Sequence, residues 1–297
     1  MININNCYKI FFNKLKNVYS FYEIKKLFFI LFTHLLKCSI HKLYFYILND
    51  KKITINKYNN FIYAIYKLRD KYPIQYIIKY TYFKGIKIFL NNNIFIPRQE
   101  TEELVNLIIK DNKKKKKLNI LDICTGSGCI SIYIKKKLYN CNIYCLDNYK
   151  NILLIAKKNF IYNNLNNKIY YYKFNLLNNK IKYNFFLKKI PKFDLIISNP
   201  PYISYKEYYK YINTNIFYEP YKSIFVLDND KIIFYKKIME NFYKKKLKIN
   251  GIIYFEISNK IKNKIFNYLK KKFNSDTIEI KKDINNNYRI LKIIKKK

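Results

Sequence analysis

Residues 193–204 read FDLIISNPPYIS, an apolar run that enters Ser198 and is followed by Asn199, Pro200, Pro201 and Tyr202. Proline cannot donate to a sheet ladder and fixes its own φ, so two in a row mark the rigid end of a buried strand. These residue types suit one chemistry: moving a methyl group from a sulfonium to a planar, conjugated –NH2, as in a carboxamide or an adenine amino group. The lone pair on such a nitrogen is delocalised and weakly nucleophilic. The Asn199 side-chain oxygen and the Pro200 carbonyl can each accept one of its N–H groups and so localise the lone pair. Pro201 fixes the direction of that carbonyl, and Tyr202 can pack on the flat face of the substrate. Such acceptors count most where positive charge develops on nitrogen in the transition state, and alignment of nitrogen, methyl carbon and sulfur supplies the rest. No base is needed before transfer, because the proton becomes acidic only afterwards. In isolation, Asn-Pro-Pro-Tyr is equally a rigid turn.

A second constellation is LDICTGSGC, residues 121–129. Asp122 lies near a strand end, and Gly126 and Gly128 fall in the turn before a helix, where small residues let a ligand approach backbone N–H groups. Asp147 ends the next strand, where a carboxylate can accept both ribose hydroxyls of an adenosine. Alone, the glycine turn also fits a tight turn with no ligand or a dinucleotide fold. The dinucleotide pattern wants a third glycine where Ser131 stands.

The elements that must carry these residues alternate. LNILDI (118–123), NIYCLD (142–147), IYYYKF (169–174), FDLIIS (193–198) and GIIYFEI (251–257) are strand-like, with helix-length segments between the first two pairs. DTIEIKK (276–282) and YRILKII (288–294) predict an antiparallel hairpin at one edge. The pattern predicts an α/β fold, a mostly parallel sheet with helices on both faces, whose ligand site lies beyond the carboxyl ends of the strands. Before it, residues 1–72 show helical spacings, with the apolar stretch LFFILFTHLL (27–36) as a core helix too short to span a bilayer. Residues 73–97, with alternation around Gly85, predict a hairpin linker, leaving 98–297 as the chemical domain.

Composition bounds the partners loosely. The chain has 297 residues and a formal charge of +40, and of its 59 Lys and Arg residues all but Arg69, Arg98 and Arg289 are lysine. With abundant Asn, Ile and Tyr and no Trp, this skew is that of an AT-rich genome. A solvated lysine surface therefore outweighs nucleic-acid binding as its explanation. The runs at 113–117 and 295–297 read as a loop and a tail. The six cysteines include no Cys-x-x-Cys pair, so free thiols in a reducing compartment are expected and no metal site. The N-terminus lacks the features of a secretory signal. A cytoplasmic location follows, with a basic organellar targeting extension as the alternative.

Taken in order, PIQYI (73–77), the hairpin, FIPRQETEELV (95–105), LDICTGSGCISI (121–132), Asp147, NPPY (199–202) and YEPYKSIFV (218–226) resemble the HemK-like protein glutamine methyltransferases, over most of the chain. The resemblance implies a class I, Rossmann-like fold with a seven-stranded sheet and a small N-terminal helical domain that recognises substrate. It also implies S-adenosylmethionine as methyl donor and, as acceptor, the glutamine of a release factor's Gly-Gly-Gln motif. Matching cofactor positions are Cys124, Thr125, Gly126, Ser127, Gly128, Asp147, Asn175, Leu176 and Asn199. Matching substrate positions are Asn199, Pro200, Pro201 and Tyr202, with Asn199, Pro200 and Tyr202 catalytic, and Phe95 and Arg98 help close the site. The chain departs from the family pattern at Cys124, where glycine is usual, at Asn175, where aspartate is usual, and at Tyr288, before Arg289, where glutamate is usual. The resemblance also implies a monomer, with neither a membrane nor a specific nucleic acid as partner. Two rivals stand beside it: an adenine amino methyltransferase acting on DNA or RNA, which would need room to extract a base from its stack, and a binding protein that keeps the fold without activity.

Overall fold

The computed structural model describes residues 2–115, 117–177, 186–212, 214–227, 230–274 and 276–296. The chain divides into two compact units, Met1–Tyr80 with Tyr211–Tyr218, and Thr81–Lys210 with Glu219–Lys297.

The first unit is helical: α1 (Ile4–Leu15), α2 (Phe21–Leu36), α3 (Ile40–Leu48), α4 (Ile55–Arg69) and the short α5 (Ile74–Ile78). The starts are set by side chains that take orphan N–H groups. Asn3 accepts from Asn6, and Ser20 and Glu23 form a reciprocal capping box at α2. Phe11, Phe28, Phe32 and Phe61 meet in an aromatic core, with Phe28 and Phe32 stacked one turn apart at 4.3 Å between ring centroids. Among the described residues no single helix is long and apolar enough to cross a membrane, although α2 and α3 together pass that test as a pair bent by 93°. Ile24, Phe28, Leu31 and Phe32 bury the inward face of α2.

The second unit opens with a hairpin, β1 (Tyr80–Phe83) and β2 (Ile86–Phe89). Lys84 and Gly85 turn it with φ of 49° and 75°, the positive pair that matches strand twist. Then follow α6 (Gln99–Asn112), β3 (Leu118–Ile123), α7 (Cys129–Lys137), β4 (Cys141–Asp147), α8 (Lys150–Tyr162), β5 (Ile169–Lys173) and β6 (Phe193–Ser198). A minor pair, β7 (Ile203–Ser204) and β8 (Phe225–Val226), precedes β9 (Leu247–Glu256), β10 (Thr277–Lys282) and β11 (Tyr288–Ile294). The main sheet has seven strands in the order β10-β11-β9-β6-β3-β4-β5, with β11 antiparallel to both neighbours. β3 lies between β4 and β6, where the winding changes direction, so the ends of β3 and β6 open the crevice in which such sheets bind ligands.

Two expectations need correction. β9 starts at Leu247, not 251, because a register shift against β6 absorbs the polar residues before Gly251. A side chain at Gly251 would lie 2.8 Å from both Leu247 and the Lys248 carbonyl, so only glycine fits there. The terminal lysine run is not wholly a solvated tail. Lys295 is buried, and its ammonium donates to the carbonyls of Tyr243, Lys244 and Leu247 at 3.1, 3.3 and 3.1 Å, closing the end of a helix. Lys116 and Lys297 lie outside the described residues.

Candidate active site

Four strand ends supply the site. β3 delivers Asp122, which is fully buried: its Oδ2 accepts from the hydroxyls of Thr125 at 2.7 Å and Ser131 at 2.6 Å. Its Oδ1 has no hydrogen-bond partner among the described residues. Burial pushes the carboxyl up to about 6 against those two donors, with Asp147 nearby adding to the rise. Ser131, at the place of a third glycine, is thus committed to Asp122.

The turn after β3 runs through the left-handed region at Cys124 (φ 61°), Gly126 (55°) and Gly128 (80°). Cys124 adopts there a conformation that glycine adopts freely and other L-residues at a cost, and its side chain packs against the main core. Gly128 is closed in, since a Cβ would meet Phe160 at 3.3 Å and Ala156 at 3.4 Å, whereas at Gly126 the nearest atom is the Cys124 carbonyl at 4.0 Å. The open face of the turn is therefore at Gly126. Its N–H donates to Asp147 Oδ2 at 3.1 Å, bringing the end of β4 onto the turn. Asp147 Oδ1 accepts from Tyr149 N–H at 3.4 Å, and burial raises this carboxyl against the backbone donors around it.

Asn159 on α8 anchors the turn from behind. Its amide donates to the Ser127 carbonyl at 2.9 Å and exchanges two hydrogen bonds with Phe89 of β2. Beyond β5, Leu176 is buried, while Asn175 turns its side-chain oxygen onto the N–H of Leu177 at 3.0 Å.

β6 ends at Ser198, whose hydroxyl donates to the Ile123 carbonyl at 2.6 Å and locks the ends of β6 and β3 together. Pro200 and Pro201 are buried, and Asn199 and Tyr202 are half-buried. The Asn199 amide nitrogen donates to the Thr101 hydroxyl at 3.4 Å, and that hydroxyl donates to Glu256 at 2.6 Å. Burial pushes the Tyr202 phenol up to about 12. Phe95 and Arg98 stand together, the guanidinium 4.9 Å from the ring centroid, and Arg98 also pairs with the buried Glu219. The Glu219 carboxylate further accepts from Ile96 N–H at 3.1 Å, fixing the segment before α6.

The sequence singled out Asn199 through Tyr202, the glycine turn and Asp147, and the fold places all of them at adjoining strand ends. It did not identify Thr101, Asn159, Glu219 and Glu256. The available signal was scarcity: Glu256 is an acid ending the apolar run GIIYFE in a chain with only 19 acidic residues.

The Methyltransferase small domain family matches residues 93–225. The chain is 39% identical to the release factor glutamine methyltransferase of Flavobacterium psychrophilum, across 77% of this chain and 78% of that protein. It belongs to the release factor glutamine methyltransferase family. The relative of the same name from Lactococcus lactis subsp. lactis is 32% identical over 83% of this chain and 86% of its own. Among solved structures, the hMettl16 catalytic domain in complex with a MAT2A 3′UTR hairpin aligns with a TM-score of 0.53 at 15% identity, covering 81% of this chain and 86% of that one, a likeness of fold alone.

As a member of this family the protein is an enzyme with the class I methyltransferase fold, and S-adenosylmethionine is its methyl donor. The residues present fit that group: open space over Gly126, a carboxylate at Asp147 and an orphaned buried acceptor on Asp122 all adjoin one turn.

Proposed function

We propose that the enzyme transfers a methyl group to the side-chain amide nitrogen of the glutamine in the Gly-Gly-Gln motif of peptide chain release factors. The observation that carries this reading is the position of Asn199 and Pro200. They are two acceptors on the backbone that the Ser198 lock and the two prolines fix at the end of β6, next to the open glycine turn of β3, in a chain of this family.

Bound S-adenosylmethionine supplies an electrophilic methyl on a sulfonium. The turn Cys124, Thr125, Gly126, Ser127 and Gly128 would hold it with Asp147, whose carboxylate has lone pairs left for ribose hydroxyls. Leu176 lends an apolar surface, with Asn175 and Asn199 at the margins. Because Asn175 spends one lone pair on Leu177, it offers the cofactor one uncharged acceptor.

The Asn199 oxygen and the Pro200 carbonyl accept the two N–H groups of the glutamine amide, Pro201 keeps that carbonyl in place, and Tyr202 packs on the amide plane. These acceptors oppose the amide resonance and meet the charge that grows on nitrogen, so they stabilise the transition state more than the ground state. Phe95 and Arg98, braced by Glu219, wall the substrate side. We assign substrate recognition to residues 1–72, the linker to 73–97 and catalysis to 98–297, in a cytoplasmic monomer with no specific nucleic-acid partner.

The test is transfer of labelled methyl from S-adenosylmethionine to a purified release factor, with its Gly-Gly-Gln glutamine intact or changed to alanine, alongside DNA and ribosomal RNA. Label on the intact glutamine alone supports the reading. Label on nucleic acid overturns it in favour of adenine chemistry.

A further inference from the structure

An asparagine amide presents an oxygen at one end and an NH2 of nearly the same shape at the other. The function proposed above, on which this inference rests, requires the oxygen of Asn199 to face the substrate N–H groups. A half-turn about χ2 would set donor against donor and abolish the interaction. The two prolines that follow fix the backbone and leave this torsion free, so something else must define which end points where.

Thr101 and Glu256 answer that need. Thr101, on the first turn of α6, is 2% exposed, and Glu256, at the end of β9, is also 2% exposed. The Thr101 hydroxyl has one proton, and it is given to the Glu256 carboxylate at 2.6 Å. Towards Asn199 the hydroxyl can then show only lone pairs, and a lone pair accepts from NH2 and repels a carbonyl oxygen. The amide nitrogen of Asn199 faces it at 3.4 Å, and Asn199 also helps hold the Glu256 carboxyl down.

We infer that Thr101 and Glu256 are positioning residues that set the direction of the Asn199 amide, the carboxylate orienting the hydroxyl and the hydroxyl orienting the amide. The relay works while Glu256 is ionised. A protonated Glu256 can donate to the Thr101 oxygen, freeing the Thr101 proton to point at Asn199 and attract its oxygen away from the substrate.

Every element packed on Glu256 bears on that ionisation. α6 contributes Glu100 and Thr101, the end of β6 contributes Asn199 and Tyr202, and β11 contributes Arg289. Tyr235 of the helix Ile233–Ile238 donates to the Glu256 carbonyl at 2.8 Å, and Cys129 of α7 feels its charge. Burial dominates and pushes the carboxyl up to about 7, with Thr101, Arg289 and Asn199 opposing and Glu100 adding to the rise.

The test combines kinetics with a direct view of the amide. Thr101→Val removes the hydroxyl at nearly constant shape, Thr101→Ser retains it, and Glu256→Gln removes the charge. Single-turnover methyl transfer to a release factor should fall at least ~10-fold in Thr101→Val and return in Thr101→Ser, while S-adenosylmethionine affinity stays near wild type and circular dichroism shows a folded chain. The wild-type rate should drop as pH falls through about 7, and Glu256→Gln should lack that step. In protein labelled with [15N]asparagine, the Asn199 side-chain signal, assigned by its loss in Asn199→Ala, should titrate in wild type and stay flat in Glu256→Gln.

Full rates in Thr101→Val, or an Asn199 signal that titrates unchanged in Glu256→Gln, would overturn the relay. If the wild type methylates no release factor, the proposed function fails separately, and the amide titration still decides the relay.

Discussion

Arg98 and Glu219, 121 residues apart in sequence, form an ion pair in which the acidic side chain is fully buried. The same carboxylate holds the N–H of Ile96, so it ties the start of α6 to the chain beyond β6. Replacing Glu219 with alanine leaves a buried N–H and a guanidinium without their acceptor. Because Arg98 keeps partial contact with solvent, the loss should be about 1–3 kcal/mol, less than for a wholly buried pair. Urea unfolding of Glu219→Ala measures it, and an unchanged midpoint would show that the pair does not brace this segment.

Asn199→Ala removes one of the two acceptors proposed for the substrate amide and leaves β6 and the prolines in place. Methyl transfer should fall by roughly 10²–10³-fold, the range seen when one transition-state hydrogen bond is deleted, with circular dichroism and thermal unfolding near wild type. Unchanged turnover in this variant would falsify the assignment.

The two glycines of the β3 turn should separate binding from stability. At Gly128 an added methyl meets Phe160 and Ala156 at a φ of 80°, so Gly128→Ala should lower the melting temperature markedly. At Gly126 the space is open, so Gly126→Ala should unfold only slightly earlier, by about 1 kcal/mol for its left-handed backbone, yet bind S-adenosylmethionine far more weakly. Calorimetric titration of each variant distinguishes the two effects. Equal binding by Gly126→Ala and wild type would remove Gly126 from the cofactor site.

Glu256 makes stability and activity respond oppositely to pH. Its folded-state value is raised from 4.5 to about 7, so across that window the folded chain keeps a proton that the unfolded chain has released. Stability contributed by this group should fall as pH rises from about 4.5 to 7 and level off above, while the relay to Asn199 gains strength as pH rises through about 7. Asp122, raised from 3.8 to about 6, adds a slope of the same sign below it. Glu256→Gln should therefore be more stable than wild type at pH 8 by ~2–3 kcal/mol and no different near pH 4. Unfolding free energies at four pH values test this; parallel curves for the two proteins would refute it.

Much of this architecture was legible because the composition is so skewed. Where lysine, asparagine and isoleucine fill most positions, Gly126, Gly128 and the pair Pro200 and Pro201 mark the places where backbone geometry could not be relaxed. Strand ends at Asp147 and Ser198 followed from apolar runs that stop. Cys124 read as a departure from the family's glycine, and the fold gives it a positive φ and a side chain packed against the core. Thr101, Asn159, Glu219 and Glu256 stayed hidden for a shared reason: each acts across a large sequence separation, and periodicity tells which face a residue lies on, not which residue it meets there. The short turns at Tyr205–Tyr211 and Asn215–Tyr218 escaped notice because, at seven and four residues, they are too short for a period to establish itself.

The position of β9 carries a consequence for the making of the protein. This strand sits between β6 and β11, yet it is drawn from residues 247–256, long after β3 to β6 have been synthesised. Until it arrives, the far edge of β6 offers open backbone groups beside apolar side chains, the kind of edge that recruits strands from other chains. The same late strand brings Glu256. A nascent chain that has just completed β6 therefore already contains Asn199, but it has neither a protected sheet nor a means of aiming that amide.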